Sequence, residues 1–396
     1  MRILIIKLSS IGDVVQTLPA LRALRNALER RGVKGGSDRG TTRGDIKGTR
    51  AEIDWLVEKP SASVLRNNPL IDNLFVVSKK GWTRDSRGNI RTARELAARR
   101  YDLVLDFQGL FKSALWAVAA RGKRVMGFAN SRELSTLVLS EKAPAYDPER
   151  HAVLRYIDLV QAAMSEGPEG EAAVAEEKDV DFPLYMGEES LDITRELLCD
   201  AGLANKASAG SKGGAAEREE LPFFIIAPRA RWKKKLWDDE SFVELGRIIT
   251  KKYGLEAVIV GSGEDRAAAE MIKKGIGPRA HNLAGKMDLT GLAALMRLAQ
   301  FCVTLDSGPM HIAVAARLPV VALFGPTAPW RTGPIGSGHV VVRKGLSCSP
   351  CFRKKCHDPR CMTEITVAEV LGAVERLGLK LPSSPRQQRM PMGRKN

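Results

Sequence analysis

Two doubly wound α/β units are the architecture this sequence predicts, and three observations predict it. Short apolar runs alternate with amphipathic stretches, the pattern of a parallel sheet covered on both faces by helices. That alternation lapses after residue 127 and begins again near residue 223. The 396 residues are too many for one ordinary domain and suit two of ~150–200.

The elements follow in order. Residues 2–8 (RILIIKL) form a buried-type strand, then a Ser/Gly/Asp turn and an amphipathic helix over about 14–28. Residues 53–58, 73–77, 103–107 and 124–127 are the next strands, with helical patterns between several of them. Residues 32–50 lack periodicity and form an insertion. The second half predicts strands at 223–227, 256–260, 301–305 and 320–324, and helices at 239–253, 265–274, 289–299, 310–317 and 366–377. Residues 188–202 are helical, and 204–220 is a Gly/Ala/Ser-rich linker. The boundary falls near 185, giving domains 1–185 and 186–380 and a disordered basic tail, 381–396. Two such domains facing a central cleft bring the carboxyl ends of both sheets to it, so the turns after strands are the candidate sites.

Composition narrows the function. The 44% hydrophobic content suffices for two cores. No apolar stretch reaches the ~18–20 residues of a membrane span, and Ile3 to Ile6 is too short for a signal-peptide core. A cytosolic enzyme is expected. The net charge is +16, of which residues 30–50 and 380–396 contribute +10. Solvated loops account for such charge by default; an anionic membrane surface is the functional alternative. No basic helix interleaved with aromatics and no nucleic-acid-binding signature accompanies it, so nucleic acid is not an expected partner.

Five segments can carry chemistry. In Ser9-Ser10-Ile11-Gly12-Asp13, Asp13 opens a helix, either as a cap or as a carboxylate that accepts a proton from a sugar hydroxyl. The turn lacks the three glycines of a dinucleotide fingerprint. In Arg229–Lys235 five of seven residues are basic, with Trp232 among them and Trp237 just beyond, which suits a phosphate clamp. In Gly261-Ser262-Gly263-Glu264, Glu264 is a first-turn acid or a ribose ligand. In Thr304–His311, Ser307 and Gly308 supply a cap and turn, Pro309 suits the first helical position, and the free amides favour phosphate. His311 is a ligand contact or a packed polar residue. Finally Cys348, Cys351, Cys356 and Cys361, with His357 among them, form either a structural metal site or four unligated thiols.

Together these motifs resemble glycosyltransferase family 9, the ADP-heptose–lipopolysaccharide heptosyltransferases. The matching stretches are MRILIIKLSSIGDVVQTLPALRALR, AEIDWLVE at 51–58, YDLVLDFQGLFKSAL at 101–115, TLDSGPMHIAVAARLPVVALFGPT at 304–327 and CSPC at 348–351. The resemblance implies the GT-B fold and inverting transfer of heptose from ADP-heptose to the Kdo region of Kdo2–lipid A, the type I reaction. It implies Asp13 as general base, with Ser10 and Gly12 beside the acceptor. Lys235, or Lys234 if the register slips, would contact donor phosphates with Arg231 nearby. Glu264 would hold the ribose, Met287 the adenine through its backbone, and Asp306, Ser307, Gly308 and His311 the diphosphate and sugar. Lys79, Lys80 and Arg132 are candidates to hold the anionic acceptor. No metal or other cofactor is expected, and peripheral contact with the cytoplasmic face of the inner membrane is. The competing readings are a sister transferase with another sugar or acceptor, a GT-B-like sugar-nucleotide epimerase, and a non-catalytic basic binding protein.

Overall fold

The computed structural model describes residues 1–34, 51–78, 86–165, 175–204 and 221–382. The expected 204–220 linker and the basic tail lie almost wholly outside these residues, as does all but the start of the 32–50 insertion. The chain divides into two compact units that pass from one to the other at Tyr185 and Met186, with Trp330–Thr332 counted in the first.

The first unit runs β1 (Arg2–Ile6), α1 (Ile11–Lys34), β2 (Glu52–Glu58), β3 (Asn73–Val77), α2 (Ser86–Ala98), β4 (Leu103–Asp106), α3 (Phe111–Ala120), β5 (Arg124–Phe128), β6 (Glu141–Ala143) and α4 (Ala152–Met164). Its strands order as β3-β2-β1-β4-β5-β6, and every neighbour is parallel. β1 is central: Ile3 registers with Ile53 on one side and Leu103 on the other. Ile3, Leu4, Ile5 and Ile6 are all buried, as a strand covered on both faces requires.

The second unit repeats the plan. It runs α5 (Glu188–Asp200), β7 (Phe223–Ala227), α6 (Asp239–Tyr253), β8 (Glu256–Ile259), α7 (Arg266–Ile276), β9 (Ala280–Asn282), α8 (Leu289–Leu298), β10 (Cys302–Leu305), α9 (Gly308–Ala315) and β11 (Val320–Phe324). β12 (His339–Arg343), α11 (Arg360–Thr363) and α12 (Val367–Arg376) complete it, while α10 (Pro329–Thr332) has all but its first residue in the other unit. The order β12-β11-β10-β7-β8-β9 is again parallel throughout. Its core stacks Phe224 on Phe301 and sets Trp237 edge-on to Phe242. The indole N–H of Trp237 is satisfied by the Ile365 carbonyl at 2.8 Å.

Counted from its own first strand, each sheet has the order 3-2-1-4-5-6. The strand order therefore reverses between β1 and β4 in the first unit and between β7 and β10 in the second, and ligands of such sheets bind at that reversal.

Several boundaries differ from expectation. α1 begins at Ile11 and reaches Lys34, because good helix formers continue past residue 28. α9 begins at Gly308, so Pro309 is its second residue and not its first. The sequence reading places no element between Gly127 and Glu188, where β6 and α4 lie. α4 packs on α1, and its Val153, Ile157 and Val160 are buried. β9 and β12 were likewise not expected. β6 and β9 have three residues each, too few to show a period of two.

Candidate functional site

The first unit gathers its polar groups where β1 meets β4. The backbone N–H groups of Leu8 and Ser9 both donate to Oε1 of Gln108, at 3.1 Å each, so one side chain ties the two strand ends together. Asp106, at the end of β4, shapes the following turn: its carboxylate accepts from the N–H of Gln108 and Gly109 and from Ser113 Oγ. Burial raises the Asp106 carboxyl above the usual range, opposed by those three hydrogen bonds and Lys7. Lys112, on the first turn of α3, donates to Ser9 Oγ at 2.8 Å and to Glu58 Oε1 at 2.9 Å. It thereby joins the ends of β1 and β2 to α3.

Asp13 stands in this cluster as the third residue of α1. Its Oδ2 accepts from the Ser10 N–H at 3.0 Å and from Ser10 Oγ at 2.7 Å. The helix-opening residue is thus Ser10, and Asp13 closes back onto it from the first turn, a correction to the simple cap of the sequence reading. Beneath lies Lys7, fully buried, donating to the Phe107 carbonyl at 2.9 Å and to the Tyr156 hydroxyl at 2.7 Å. Burial works against the Lys7 ammonium, but Tyr156, Asp13 and Asp106 together hold its pKa above the ordinary value. A fixed positive charge therefore faces the Asp13 carboxylate from inside the fold. Gly12 is buried in the same turn. Arg132 is exposed, and its backbone N–H reaches the Gly109 carbonyl at 3.0 Å. Lys79 and Lys80 lie outside the described residues.

In the second unit the reversal between β7 and β10 holds an ion pair. Lys235 Nζ meets Asp306 Oδ2 at 2.5 Å, with the two side chains only 14% and 7% exposed. Thr327 Oγ1, from the turn after β11, donates to the same Asp306 oxygen at 2.6 Å. Lys235 also lies over the Trp232 ring, 4.7 Å from its centroid. Ser307 caps α9 by position, yet its hydroxyl is buried without a hydrogen-bond partner and caps nothing. An unsatisfied buried hydroxyl beside an open helix start costs stability and suits a ligand oxygen. His311 is buried within α9.

Not every basic side chain of the run is available for the expected phosphate clamp. Arg229 is taken up by a two-pronged ion pair with Asp239, at 2.6 and 2.7 Å, which raises its pKa. Arg231 and Lys233 are exposed, and Lys235 alone turns into the Asp306 pair. On the other side of β7, the loops after β8 and β9 lie against each other. The Gly285 N–H donates to the Gly261 carbonyl at 2.9 Å, and a Cβ on Gly285 would stand 2.6 Å from Gly263 Cα. This contact joins the loop of Glu264, which is exposed, to the loop of Met287, which is half-buried.

The cysteine-bearing segment packs on the turn after β11. Ser349 Oγ and the N–H groups of Cys351 and Phe352 reach the carbonyls of Gly325 and Pro326. The thiols of Cys348, Cys351, Cys356 and Cys361 are all free. Burial, and then the other three thiols, raise the pKa of Cys361. Among the described residues no group of histidines, cysteines or carboxylates is arranged to hold a metal ion. The segment also carries Lys354 to 5.5 Å from the Trp232 ring centroid, so one indole faces two ammonium groups.

A family model described as glycosyltransferase family 9 (heptosyltransferase) matches residues 89–361, more than half of the chain. The chain belongs to glycosyltransferase family 9. It is 28% identical to lipopolysaccharide heptosyltransferase 1 of Pseudomonas aeruginosa, over 90% of this chain and 87% of that one. Among solved structures, a family 9 glycosyltransferase from Veillonella parvula superposes with a TM-score of 0.72 at 21% identity, covering 95% of this chain and 96% of that one. The E. coli heptosyltransferase WaaC with ADP gives 0.68 at 23%, covering 95% and 100%. The fold is accordingly GT-B, and this family 9 chain is a glycosyltransferase.

Three side chains in these separate clusters are not marked by the sequence. Gln108, Lys112 and Lys354 reach their partners from about a hundred residues away or across a loop, and no local pattern marks them. The available signal is indirect: Gln108 and Lys112 lie in YDLVLDFQGLFKSAL and Lys354 in the cysteine segment, but neither stretch gives these side chains a role.

Proposed function

We propose that this family 9 enzyme transfers L-glycero-D-manno-heptose from ADP-heptose to a Kdo hydroxyl of Kdo2–lipid A. The likeness to lipopolysaccharide heptosyltransferase 1 over 90% of the chain carries the choice of substrates. The chemistry is argued from the two sites. Asp13 accepts the proton of the Kdo hydroxyl as its oxygen attacks the anomeric carbon. The bond to the diphosphate breaks on the opposite face in the same displacement, which inverts the configuration. Lys7, buried and cationic, sets a positive charge against the Asp13 side chain from inside the fold.

The departing ADP carries the developing negative charge. Lys235, Arg231 and the open amides at the start of α9 meet it, and the buried Ser307 hydroxyl gains its missing partner. Prearranged cations and dipoles of this kind replace a divalent metal. Asp306 and His311 hold the heptose side of the donor, Glu264 the ribose and the Met287 backbone the adenine. Ser10, Gly12 and Arg132 line the acceptor side. The enzyme works at the cytoplasmic face of the inner membrane; no described helix is long and apolar enough to cross one.

Two acceptors decide the first heptose against the second. Release of ADP with Kdo2–lipid A, and not only with an acceptor already bearing one heptose, is the expected result. Activity on the second alone would overturn the choice of acceptor. Undiminished turnover in EDTA is expected, and a loss restored by Mg2+ would overturn the metal-free mechanism.

A further inference from the structure

Helix α3 is apolar on both faces. Its inner face buries Ala114, Trp116, Ala117 and Ala120. Its outer face carries Phe111, Leu115 and Val118, spaced four and three residues apart and so aligned on one stripe. Phe111 is 56% exposed and Val118 58%. The turn Ser135–Val138 packs against α3, burying Ser135 while Leu134 and Leu137 stand 73% and 78% exposed. A contiguous apolar surface of this kind on a soluble fold marks a binding face.

The charge around it selects the partner. Residues 108–139 contain Lys112, Arg121, Lys123, Arg124 and Arg132 against Glu133 alone. Lys112, Lys123 and Arg124 each meet a carboxylate elsewhere in the unit, while Arg121 and Arg132 are exposed beside the two apolar elements. Apolar side chains flanked by arginines match an anionic lipid surface, where the former enter the acyl boundary and the latter meet headgroups. A second copy of the chain is the poorer fit, since a two-fold contact would set this cationic surface against itself.

The location agrees. Lys112, next to Phe111, donates to Ser9 Oγ, so the stripe starts at the turn that carries Asp13. The geometry points to this face, Phe111–Val118 with Leu134 and Leu137, as the surface on which the enzyme rests on an anionic bilayer. The inference rests on the proposed acceptor only in its purpose: a sugar held close to its lipid requires the base of the reaction to stand at the membrane surface.

Co-sedimentation of the full chain with vesicles of phosphatidylethanolamine and phosphatidylglycerol, free of any acceptor, tests it. The wild type is expected to sediment, and to remain bound in about 1 M salt, where the Debye length is about 3 Å. The double variant Leu134→Ser/Leu137→Ser should bind about tenfold more weakly or worse, with an unchanged melting temperature. It should also lose activity on vesicle-embedded acceptor while keeping it on a deacylated, water-soluble one. Equal vesicle binding by both proteins would overturn the assignment. So would binding that vanishes at high salt in both, which assigns the contact to basic segments elsewhere. A wild-type dimer that the double variant splits would give the face to a second copy instead. Because the vesicle arm contains neither donor nor acceptor, it stands or falls apart from the proposed reaction.

Discussion

Lys235 and Asp306 form one pair on which both stability and the proposed donor binding depend. They are held at 2.5 Å in a nearly buried setting, and Thr327 completes the carboxylate. Lys235→Ala leaves the Asp306 carboxylate with the hydroxyl of Thr327. Thermal unfolding should register a loss of about 2–3 kcal/mol, below the ~3–5 of a fully buried pair. ADP affinity by calorimetry should fall at least about tenfold, as expected when a cation that contacts a phosphate is lost. A stable variant with normal ADP affinity would remove Lys235 from the site. The sequence made this pair half legible. A basic turn after one strand and an aspartate after another were evident, but their meeting depends on β7 and β10 being neighbours. The same holds for Lys112 and Ser9, 103 residues apart, which no local pattern connects. Conversely, Arg229 had the composition of a phosphate ligand and is committed to Asp239, a partner ten residues on that composition does not reveal.

At the scale of elements, close approach and burial set the next two expectations. Gly285 has φ +69° and lies 2.6 Å, at the position of a Cβ, from Gly263 Cα. Gly285→Ala must therefore separate the loops of Glu264 and Met287, and ADP affinity should drop several-fold with a lower melting temperature. Unchanged ADP binding would mean that these loops do not hold the nucleoside. On β12, burial lowers the pKa of His339 from 6.5, and its Nδ1 has no hydrogen-bond partner. The folded state therefore binds fewer protons here than the unfolded chain. The stability this group permits is complete above pH 6.5 and is lost as pH falls through that value toward the lowered one. His339→Leu should flatten the decline in melting temperature over that window; an unchanged slope would assign it to other groups. Element type was legible wherever a strand or helix had length and a clean period, as in β7, β11 and α6. It failed at β6 and β9, three residues each, which exist because a neighbouring strand edge recruits them and not because their residues ask for extension.

For the whole molecule, the repeated order 3-2-1-4-5-6 makes each unit a sheet with one reversal, and each reversal carries one half of the proposed chemistry. The proton acceptor and its buried lysine belong to the first unit, and the cation pair and helix start to the second. Removing the charge of Asp13 should therefore spare ADP binding, which is proposed for the second unit, while stopping transfer. The fold could be read from the alternation of runs, but the apolar outer face of α3 could not. Its stripe resembles the core stripe beside it, and only the packed structure distinguishes the one that stays exposed.

The most direct measurement is ADP release from ADP-heptose in the presence of Kdo2–lipid A, wild type against Asp13→Asn, with ADP affinity and melting temperature recorded for both. The account predicts acceptor-dependent release that falls by ~10²–10⁴ in the variant, the range for loss of a general base, with ADP affinity intact. Equal release by both proteins would contradict it, reducing Asp13 to the residue that closes the start of α1.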